Sequence, residues 1–352
     1  CFFLSLFLMT GLCACVEKGE PDQTGSWGQI NQKIARPDNW KQIVEKSSFQ
    51  LGEKKLVETW QGEDGPEEYY ELGYGTYPSI DGSTVCVPIA IEFARQHLGM
   101  NDQDAGMFVN FNTTDIAYEN LINKGTSTGY VNLIDTSLEE KVVDIILVTE
   151  PSDEELAMAK KNNVELVLEP VCFDAFVFIV HKDNPVNSLT VEQIQKIYSG
   201  GISNWKEVGG QNKKIHPYQR EENSGSQTTM EKQVMQGKKM LPPNTVNVVR
   251  GMGELVETVG EYENSLSSIG YTFKYYIDTL YKNENIKVLK VEGIEPSTEN
   301  MQNKAYPFTT NYFGVIRAED QEKAGGRFLS WMLSEEGRNC IEQAGYCPLK
   351  DR

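Results

Sequence analysis

Three short segments of this chain place hydroxyl side chains and backbone N–H groups just before apolar helical patterns. They are Asp81-Gly82-Ser83-Thr84, Thr113-Thr114 and Arg220–Ser226. The first N–H groups of a helix lack intrahelical partners and carry the positive end of the helix dipole, so a helix start attracts anions. One such segment is common in proteins. Three of them, with an arginine in the last, predict a site that encloses an oxyanion.

The third segment gives the strongest signal. Gly225 allows the backbone to approach a ligand closely. Arg220 can form a bidentate, charge-assisted pair with an oxyanion. The alternative for Arg220 is a surface ion pair with Glu221 or Glu222.

The first two segments are weaker when each is taken alone. Proline is tolerated in the first turn of a helix, so Pro88 predicts a helix that starts near residue 87 and places Ser83 and Thr84 in the turn before it. That turn could equally be a capping turn without a ligand. Thr113-Thr114 follows a predicted strand, and one of the two threonines is a suitable N-cap.

The elements that must position these segments alternate along the chain from Glu71 onward. Apolar runs and helical periods predict an α/β architecture with mainly parallel strands. Ala175–Val180 and Tyr312–Arg317 are predicted strands that are distant in sequence, and a helix over 326–342 follows them. If these strands cross between two lobes, the chain forms a two-lobe fold with a hinge and a ligand cleft between the lobes.

The start of the chain differs from the rest. Cys1 to Ala14 is uncharged and mostly apolar, which is typical of a secretory signal and too short for a membrane span. Leu12-Cys13-Ala14-Cys15 resembles a bacterial lipoprotein box, which implies a diacylglyceryl anchor on Cys15 at the outer face of the cell membrane. The alternative is an ordinary cleaved signal with a chance cysteine. Without an initiator Met or a basic n-region, we expect the sequence to begin inside the signal peptide.

These patterns divide the chain into predicted units. The units are 1–14, a partial signal peptide; 15–68, a lipidated tether with an accessory segment; 69–178 and 306–352, a discontinuous first lobe; and 179–305, the second lobe.

The composition excludes several classes of function. The 352 residues are 39% hydrophobic and 24% charged, as in a folded soluble protein, and the net charge of −18 argues against a nucleic-acid partner. The chain has three scattered histidines and no C-x-x-C motif, so we expect neither a metal site nor a cofactor. Cys340 and Cys347 are close enough in sequence to pair, whereas Cys86 and Cys172 lie in apolar runs typical of buried thiols.

Several longer motifs are similar to those of the phosphate-binding proteins of bacterial ABC phosphate importers, which are type II periplasmic binding proteins. The resemblance covers roughly residues 73–350. Arg220–Ser226 resembles the family's R-x-x-x-S-G-T segment, with Ser226 in place of Thr, and Ser268–Tyr271 resembles its S/A-I-G-Y strand. The other matching motifs are Asn184-Pro185, Leu189-Thr190, Gln193-Ile194, Ile197–Gly200 and Asn204–Gly210 (NWKEVGG).

This resemblance implies two α/β lobes that close on a dehydrated phosphate, ABC permease subunits as partners, and a monomer. One departure concerns the ligand proton. The family usually has an Asp after the strand that matches Val142–Val148, and this chain has Thr149 with Glu150 beside it. A carboxylate there accepts the proton of hydrogen phosphate and repels sulfate, so Glu150 or Asp81 is the predicted acceptor. The ligand contacts that match by position are Ser83, Thr84, Thr114, Arg220, Ser224, Gly225 and Ser226, and Thr149 and Glu150 complete the predicted ligand-binding set.

Three alternatives remain at this point. A hydrolase would use Ser83 or Ser224 as a nucleophile, but the chain has no G-x-S-x-G motif and few histidines to act as a base. A sensor lipoprotein could bind the oxyanion without a transporter. The same fold could also take another oxyanion, such as sulfate or molybdate.

Overall fold

The computed structural model of the chain describes residues 57–62, 65–69, 78–98, 102, 105–106, 109, 111–126, 142–242, 248–261 and 265–349. The predicted signal peptide, Cys15 and most of the predicted tether lie outside these residues. The tether does contribute an antiparallel hairpin of two strands, β1 (Val57–Gly62) and β2 (Gly65–Tyr69).

The remaining strands are short except for two. They are β3 (Ile80–Gly82), β4 (Ile145–Val148), β5 (Leu166–His181), β6 (Ser188–Leu189), β7 (His216–Pro217), β8 (Gln219–Arg220), β9 (Val248–Val249), β10 (Ser268–Phe273), β11 (Ile286–Val288), β12 (Lys290–Val291), β13 (Thr309–Arg317) and β14 (Cys347–Pro348).

The α-helices of the described residues are also numbered in chain order. They are α1 (Val87–Leu98), α2 (Thr114–Asn123), α3 (Asp153–Lys161), α4 (Val191–Ser199), α5 (Gly225–Thr229), α6 (Met252–Glu261), α7 (Thr298–Gln302), α8 (Ala324–Met332) and α9 (Glu335–Gln343). A 3-10 turn at Thr84–Cys86 precedes α1, and a π-helical segment at Met230–Met235 continues α5.

A single mixed sheet of eight strands organises the molecule, in the order β3-β4-β13-β5-β10-β7 with β11 and β14 also paired to β5. The prediction of mainly parallel strands is wrong. β3–β4 and β7–β10 are parallel, whereas β5 is antiparallel to each of its four partners. The sheet is mixed because the chain returns to β5 in the opposite direction at β10, β11 and β13. The predicted α/β class is confirmed.

The strand β5 is longer than the predicted Ala175–Val180, and it serves both parts of the sheet. Residues 166–175 pair with β13, and residues 176–180 pair with β10. Every side chain from Val171 to Val180 is buried, as expected for a strand covered on both faces. The chain returns beside it at Phe308, whose carbonyl accepts the N–H of Phe176 at 2.9 Å. The sheet partners therefore change near residues 176 and 308, while the lobe boundaries themselves stay a prediction.

The helix predicted over 326–342 is two helices. The helix α8 ends at Met332, and Ser334 caps α9 by accepting the N–H of Gly337 at 3.3 Å. A serine hydroxyl at an N-cap offers the backbone a new helix start, which explains the break. The helix predicted to begin near residue 87 does begin at Val87, and the helix after Thr113 begins at Thr114.

The four cysteines of the described residues are free thiols, so Cys340 and Cys347 are not paired. Cys86 and Cys172 are fully buried, as their apolar surroundings predict. Burial raises the pKa of both of these thiols well above its ordinary value.

Candidate functional site

Asp81, at the first segment, ties the first two segments together. Its side chain is fully buried and accepts four hydrogen bonds, from Gly82 N (2.7 Å), Asn112 N (2.9 Å), Asn112 Nδ2 (2.7 Å) and Asn120 Nδ2 (3.1 Å). Burial raises the pKa of this carboxyl, while the hydrogen bonds oppose that shift. Its acceptor capacity is occupied by the protein itself, which favours a structural role over that of a ligand-proton acceptor.

Ser83 and Thr84 follow β3 in the turn that leads to α1. The N–H of Ser83 donates to Leu147 O at 2.9 Å, which fixes this turn against β4. Ser83 is buried at the N-cap of the 3-10 turn, and its side chain makes no capping hydrogen bond, while Thr84 is half-buried. The Ser83 hydroxyl is therefore not used to cap the turn.

The second segment forms the start of α2. Thr113 is the N-cap residue, but its hydroxyl donates to Asp115 Oδ1 instead of capping the helix. Thr114 is the first residue of α2 and is buried. The first N–H groups of this helix lack intrahelical partners. Asp115 supplies a negative charge to the same turn.

Thr149 and Glu150, which follow β4, differ sharply in burial. Thr149 is fully buried, and its hydroxyl has no hydrogen-bond partner among the described residues. Its carbonyl accepts the Tyr118 hydroxyl at 2.9 Å, which holds the backbone in place. Glu150 is exposed. The predicted role of Glu150 as proton acceptor stays a prediction, and its exposure favours the alternative of a solvated carboxylate.

Arg220 lies on β8 and is buried, with 7% of its surface exposed. Its guanidinium donates to Val249 O (3.0 Å), to Ser226 Oγ (3.2 Å) and to Arg250 O. No carboxylate of the described residues lies within ion-pair distance of it. Burial lowers the pKa of Arg220, because a buried cation is poorly solvated.

The surface ion pair considered for Arg220 does not form. Glu221 instead pairs with Arg250, with 3.0 Å between Oε1 and Nε. Arg220 is thus a buried cation with hydrogen bonds but without a counterion among the described residues. Such a group is costly to bury unless an anion completes its surroundings.

Gly225 brings the third segment against the other two. A Cβ atom on Gly225 would lie 2.8 Å from Thr114 Oγ1 and closer still to Thr149 Oγ1, and real Cβ atoms essentially never come within 3.0 Å of another heavy atom. The fold therefore places Thr114, Thr149 and the start of α5 side by side. Ser224 caps α5 by accepting the N–H of Gln227 at 3.4 Å.

Two residues that support Arg220 were not predicted as part of the site. The Arg220 N–H donates to Tyr271 Oη at 3.0 Å and to Gln227 Oε1 at 3.2 Å, and the Tyr271 hydroxyl donates to the same Gln227 oxygen. Tyr271 ends the S-I-G-Y motif, and that motif was the feature of the sequence that could have identified this residue as part of the site. Gln227 lies two residues after Gly225 in a helix of polar residues, where no sequence pattern distinguishes it.

The described residues contain no cluster of three or more His, Cys, Asp and Glu side chains able to hold a metal ion. Within the same ranges, no helix combines the length and the apolar character that crossing a membrane requires.

Comparisons with known proteins identify the family that this chain resembles. A family model described as the PBP superfamily domain matches residues 110–336. The phosphate-binding protein PstS of Borreliella burgdorferi is 26% identical over 279 residues, which cover 77% of this chain and 90% of that protein. A phosphate-bound structure from Clostridium perfringens, assigned as a phosphate ABC transporter substrate-binding protein, is 25% identical with a TM-score of 0.58, covering 78% of this chain and all of that one.

A structure of an ABC-type phosphate transport receptor from Vibrio cholerae supports the fold alone, with 22% identity and a TM-score of 0.53 over 76% of this chain and 98% of that one. The resemblance recognised from the motifs is confirmed, and the fold is that of the type II binding proteins. Because the family model spans more than half of its length, the chain belongs to the PBP superfamily.

Proposed function

We propose that the chain is an extracytoplasmic solute-binding protein that captures inorganic phosphate for an ABC importer. One observation carries the proposal, which is that the buried Arg220 guanidinium has no counterion in the part of the chain that the structure describes. An oxyanion next to it would balance its charge and accept its hydrogen bonds. The phosphate-binding relatives, one of them solved with bound phosphate, make phosphate the favoured oxyanion.

The other groups at this site suit a dehydrated tetrahedral anion. The hydroxyls of Thr114 and Thr149 both lie against the Gly225 backbone at the start of α5. Ser226 holds Arg220 by accepting from Nη1, and Ser83 and Ser224 lie on neighbouring turns. Together these donors would replace the hydration shell of the anion, and the hydroxyls can also accept a hydrogen bond from a protonated oxygen of the anion.

We propose binding and not catalysis. A serine hydrolase needs a base within hydrogen-bond distance of its nucleophile. Among the described residues, neither Ser83 nor Ser224 is hydrogen-bonded to a histidine, and Ser224 is used as a helix cap. Membership of a family of binding proteins agrees with this assignment.

The proposed place of action is the outer face of the cell membrane, with Cys15 carrying a lipid anchor and permease subunits of the importer as partners. The two acyl chains of a diacylglyceryl group are sufficient for stable anchoring. Fractionation of cells that express the Cys15→Ser variant tests the anchor. Release of the variant into the soluble fraction is expected, and retention with the membranes would disprove it.

Calorimetric titration of the purified chain with phosphate, sulfate and molybdate tests the binding function. Phosphate is expected to bind most tightly. Arg220→Gln should weaken phosphate binding by about a hundredfold, since charge-assisted hydrogen bonds to a desolvated anion are worth roughly 1.5–3 kcal/mol each. Arg250→Gln is the matched control, because its side chain is exposed and paired with Glu221. Equal effects of the two variants, or no phosphate binding by the parent, would overturn the proposal.

A further inference from the structure

Several polar groups converge beside Gly225. If hydrogen phosphate binds there, one of them must accept the hydrogen bond from its protonated oxygen. A ligand oxygen that carries a proton needs an acceptor, because a donor facing another donor leaves both unpaired. Arg220 and backbone N–H groups can only donate. Among the side chains, only a carboxylate or a hydroxyl at this site can act as the acceptor.

The carboxylates near these segments are poorly suited to the role. Asp81 already accepts four hydrogen bonds, and Glu150 is exposed. The Asp115 carboxylate already accepts a hydrogen bond from the Thr113 hydroxyl. Glu155 is buried and has one free oxygen among the described residues, but its other oxygen accepts from its own N-cap, Ser152 N, at 2.6 Å.

Thr149 has the properties that the role requires. Its hydroxyl is fully buried and has no partner among the described residues, although buried hydroxyls are normally hydrogen-bonded. It lies against the Gly225 backbone beside Thr114 Oγ1, at the point where the segments converge. The Thr149 carbonyl bond with Tyr118 prevents this turn from moving the hydroxyl away. A ligand oxygen at this point would remove the cost of the unpaired group.

We infer that the Thr149 hydroxyl accepts the hydrogen bond from the protonated oxygen of bound hydrogen phosphate, and that the absence of a fixed carboxylate acceptor at this point leaves the site only weakly selective against sulfate. This inference rests on the proposed function. A hydroxyl can accept from a protonated ligand oxygen, and it can rotate to donate to an ionised one. A carboxylate can only accept. The site should therefore prefer phosphate to sulfate by less than about a hundredfold. A site with a carboxylate acceptor would show a stronger preference.

Calorimetric titration of Thr149 variants with phosphate and with sulfate tests the inference. Thr149→Val keeps the shape and removes the hydroxyl, and it should weaken both anions by about tenfold or more. Thr149→Ser restores the hydroxyl and should recover most of that loss. Thr149→Asp should raise the phosphate-to-sulfate ratio by about a hundredfold, because a fixed acceptor repels sulfate.

Thr272→Val is the matched control. It removes another fully buried hydroxyl, which lies on β10 and whose only partner within the described ranges is the Met252 sulfur at 3.9 Å. Its affinities for both anions should equal those of the parent. Thermal unfolding without ligand shows whether each variant is folded.

Two outcomes would overturn the inference while leaving the proposed function intact. The first is a folded Thr149→Val variant with unchanged affinities for both anions. The second is a parent that prefers phosphate by much more than a hundredfold and loses that preference in Glu155→Gln or Glu150→Gln, which would identify a carboxylate as the acceptor. A parent that binds neither anion would instead disprove the proposed function itself.

Discussion

The close packing of Gly225 brings its backbone against the hydroxyl groups of the proposed binding site. The hydroxyl oxygens of Thr114 and Thr149 occupy the space that a side chain would need. The backbone of the third segment reaches these hydroxyls only because the residue has no Cβ. The glycine is thus required by close approach and not by its backbone angles, since its φ is not in the left-handed region.

Gly225→Ala should weaken phosphate affinity by about tenfold or more. The added methyl would displace the hydroxyls that surround the ligand, and overpacking of a buried site costs about 1–3 kcal/mol. Calorimetry measures the affinity. Gly251→Ala is the control, because its nearest neighbour, Glu254 Cβ, is at the ordinary distance of 3.8 Å. Equal phosphate binding by both variants and the parent would contradict this packing.

At the scale of elements, the start of α3 contains a buried acid. Ser152 and Glu155 form a capping box, in which each side chain bonds the backbone of the other. Burial raises the pKa of Glu155 to about 7, and the nearby Asp115 adds to that shift. The native state therefore binds this proton more tightly than the unfolded chain does.

The free energy of unfolding should consequently fall between about pH 4.5 and pH 7. The contribution of Glu155 is full below its ordinary pKa and is lost as the pH rises through its native pKa, with a magnitude of up to about 3 kcal/mol. Glu155→Gln keeps a capping-box acceptor and removes the titration. Urea denaturation of parent and variant at several pH values should give a smaller fall for the variant. Asp174, whose pKa burial raises to about 6, contributes equally to both.

Parallel pH profiles for the parent and the Glu155→Gln variant would show that Glu155 does not titrate differently in the native state. The Glu336→Gln variant provides a reference in which no buried carboxyl is removed, since Glu336 lies at an exposed position of the first turn of α9.

The π-helical segment after α5 connects the second part of the sheet to the first. Lys232 Nζ donates to Pro151 O at 2.8 Å and lies 3.3 Å from Asp153 Oδ1, while Gln233 Nε2 donates to Thr310 Oγ1 at 3.1 Å. These contacts join the segment to the start of α3 and to β13. They connect elements on both sides of the predicted hinge without involving the groups proposed to bind the ligand.

Lys232→Met should accelerate phosphate release by about three- to tenfold and leave the phosphate-to-sulfate ratio unchanged. The reason is that the lost contacts join the π-helical segment to the start of α3 and do not touch the proposed ligand site. Most affinity differences of this kind appear in the dissociation rate. Stopped-flow displacement measures release. Lys196→Met is the control, because the ion pair of that lysine is with Glu192 of its own helix. Unchanged release in the Lys232 variant would show that these contacts do not slow the departure of the ligand.

At the scale of the whole molecule, the charge of −18 opposes the capture of an anion. The proposed site contains one buried cation, and the surrounding field has the sign of the ligand. Long-range repulsion of this kind slows association and is screened by salt, since the Debye length falls from about 30 Å at 0.01 M to about 10 Å at 0.1 M.

The association rate of phosphate should therefore rise with potassium chloride concentration over that range, while the dissociation rate changes little. Stopped-flow mixing at constant pH measures both rates. A fall in the association rate would mean that local positive potential at the cleft dominates the field of the whole protein.

The sequence by itself determined the features that depend on neighbouring residues. Pro88 located the start of α1, and the threonine pair located the start of α2, because capping and proline geometry act within one helical turn. The binding-protein family was recognisable from motifs that span a few residues each. The oxyanion segments were predicted for the same reason, since hydroxyls, a glycine and an arginine before a helix are local signals.

The tertiary structure alone decided how these segments are used. Strand direction was predicted wrongly, because it depends on pairing between β5 and the strands β10 and β13, which are distant in sequence. The hydrogen bonds of Asn112 and Asn120 to Asp81 join residues that are distant in sequence, and so does the packing that buries Arg220. A carboxyl or guanidinium has the same chemistry in any sequence. Its burial and its partners, which decide whether it can meet a ligand, are set only when the chain packs.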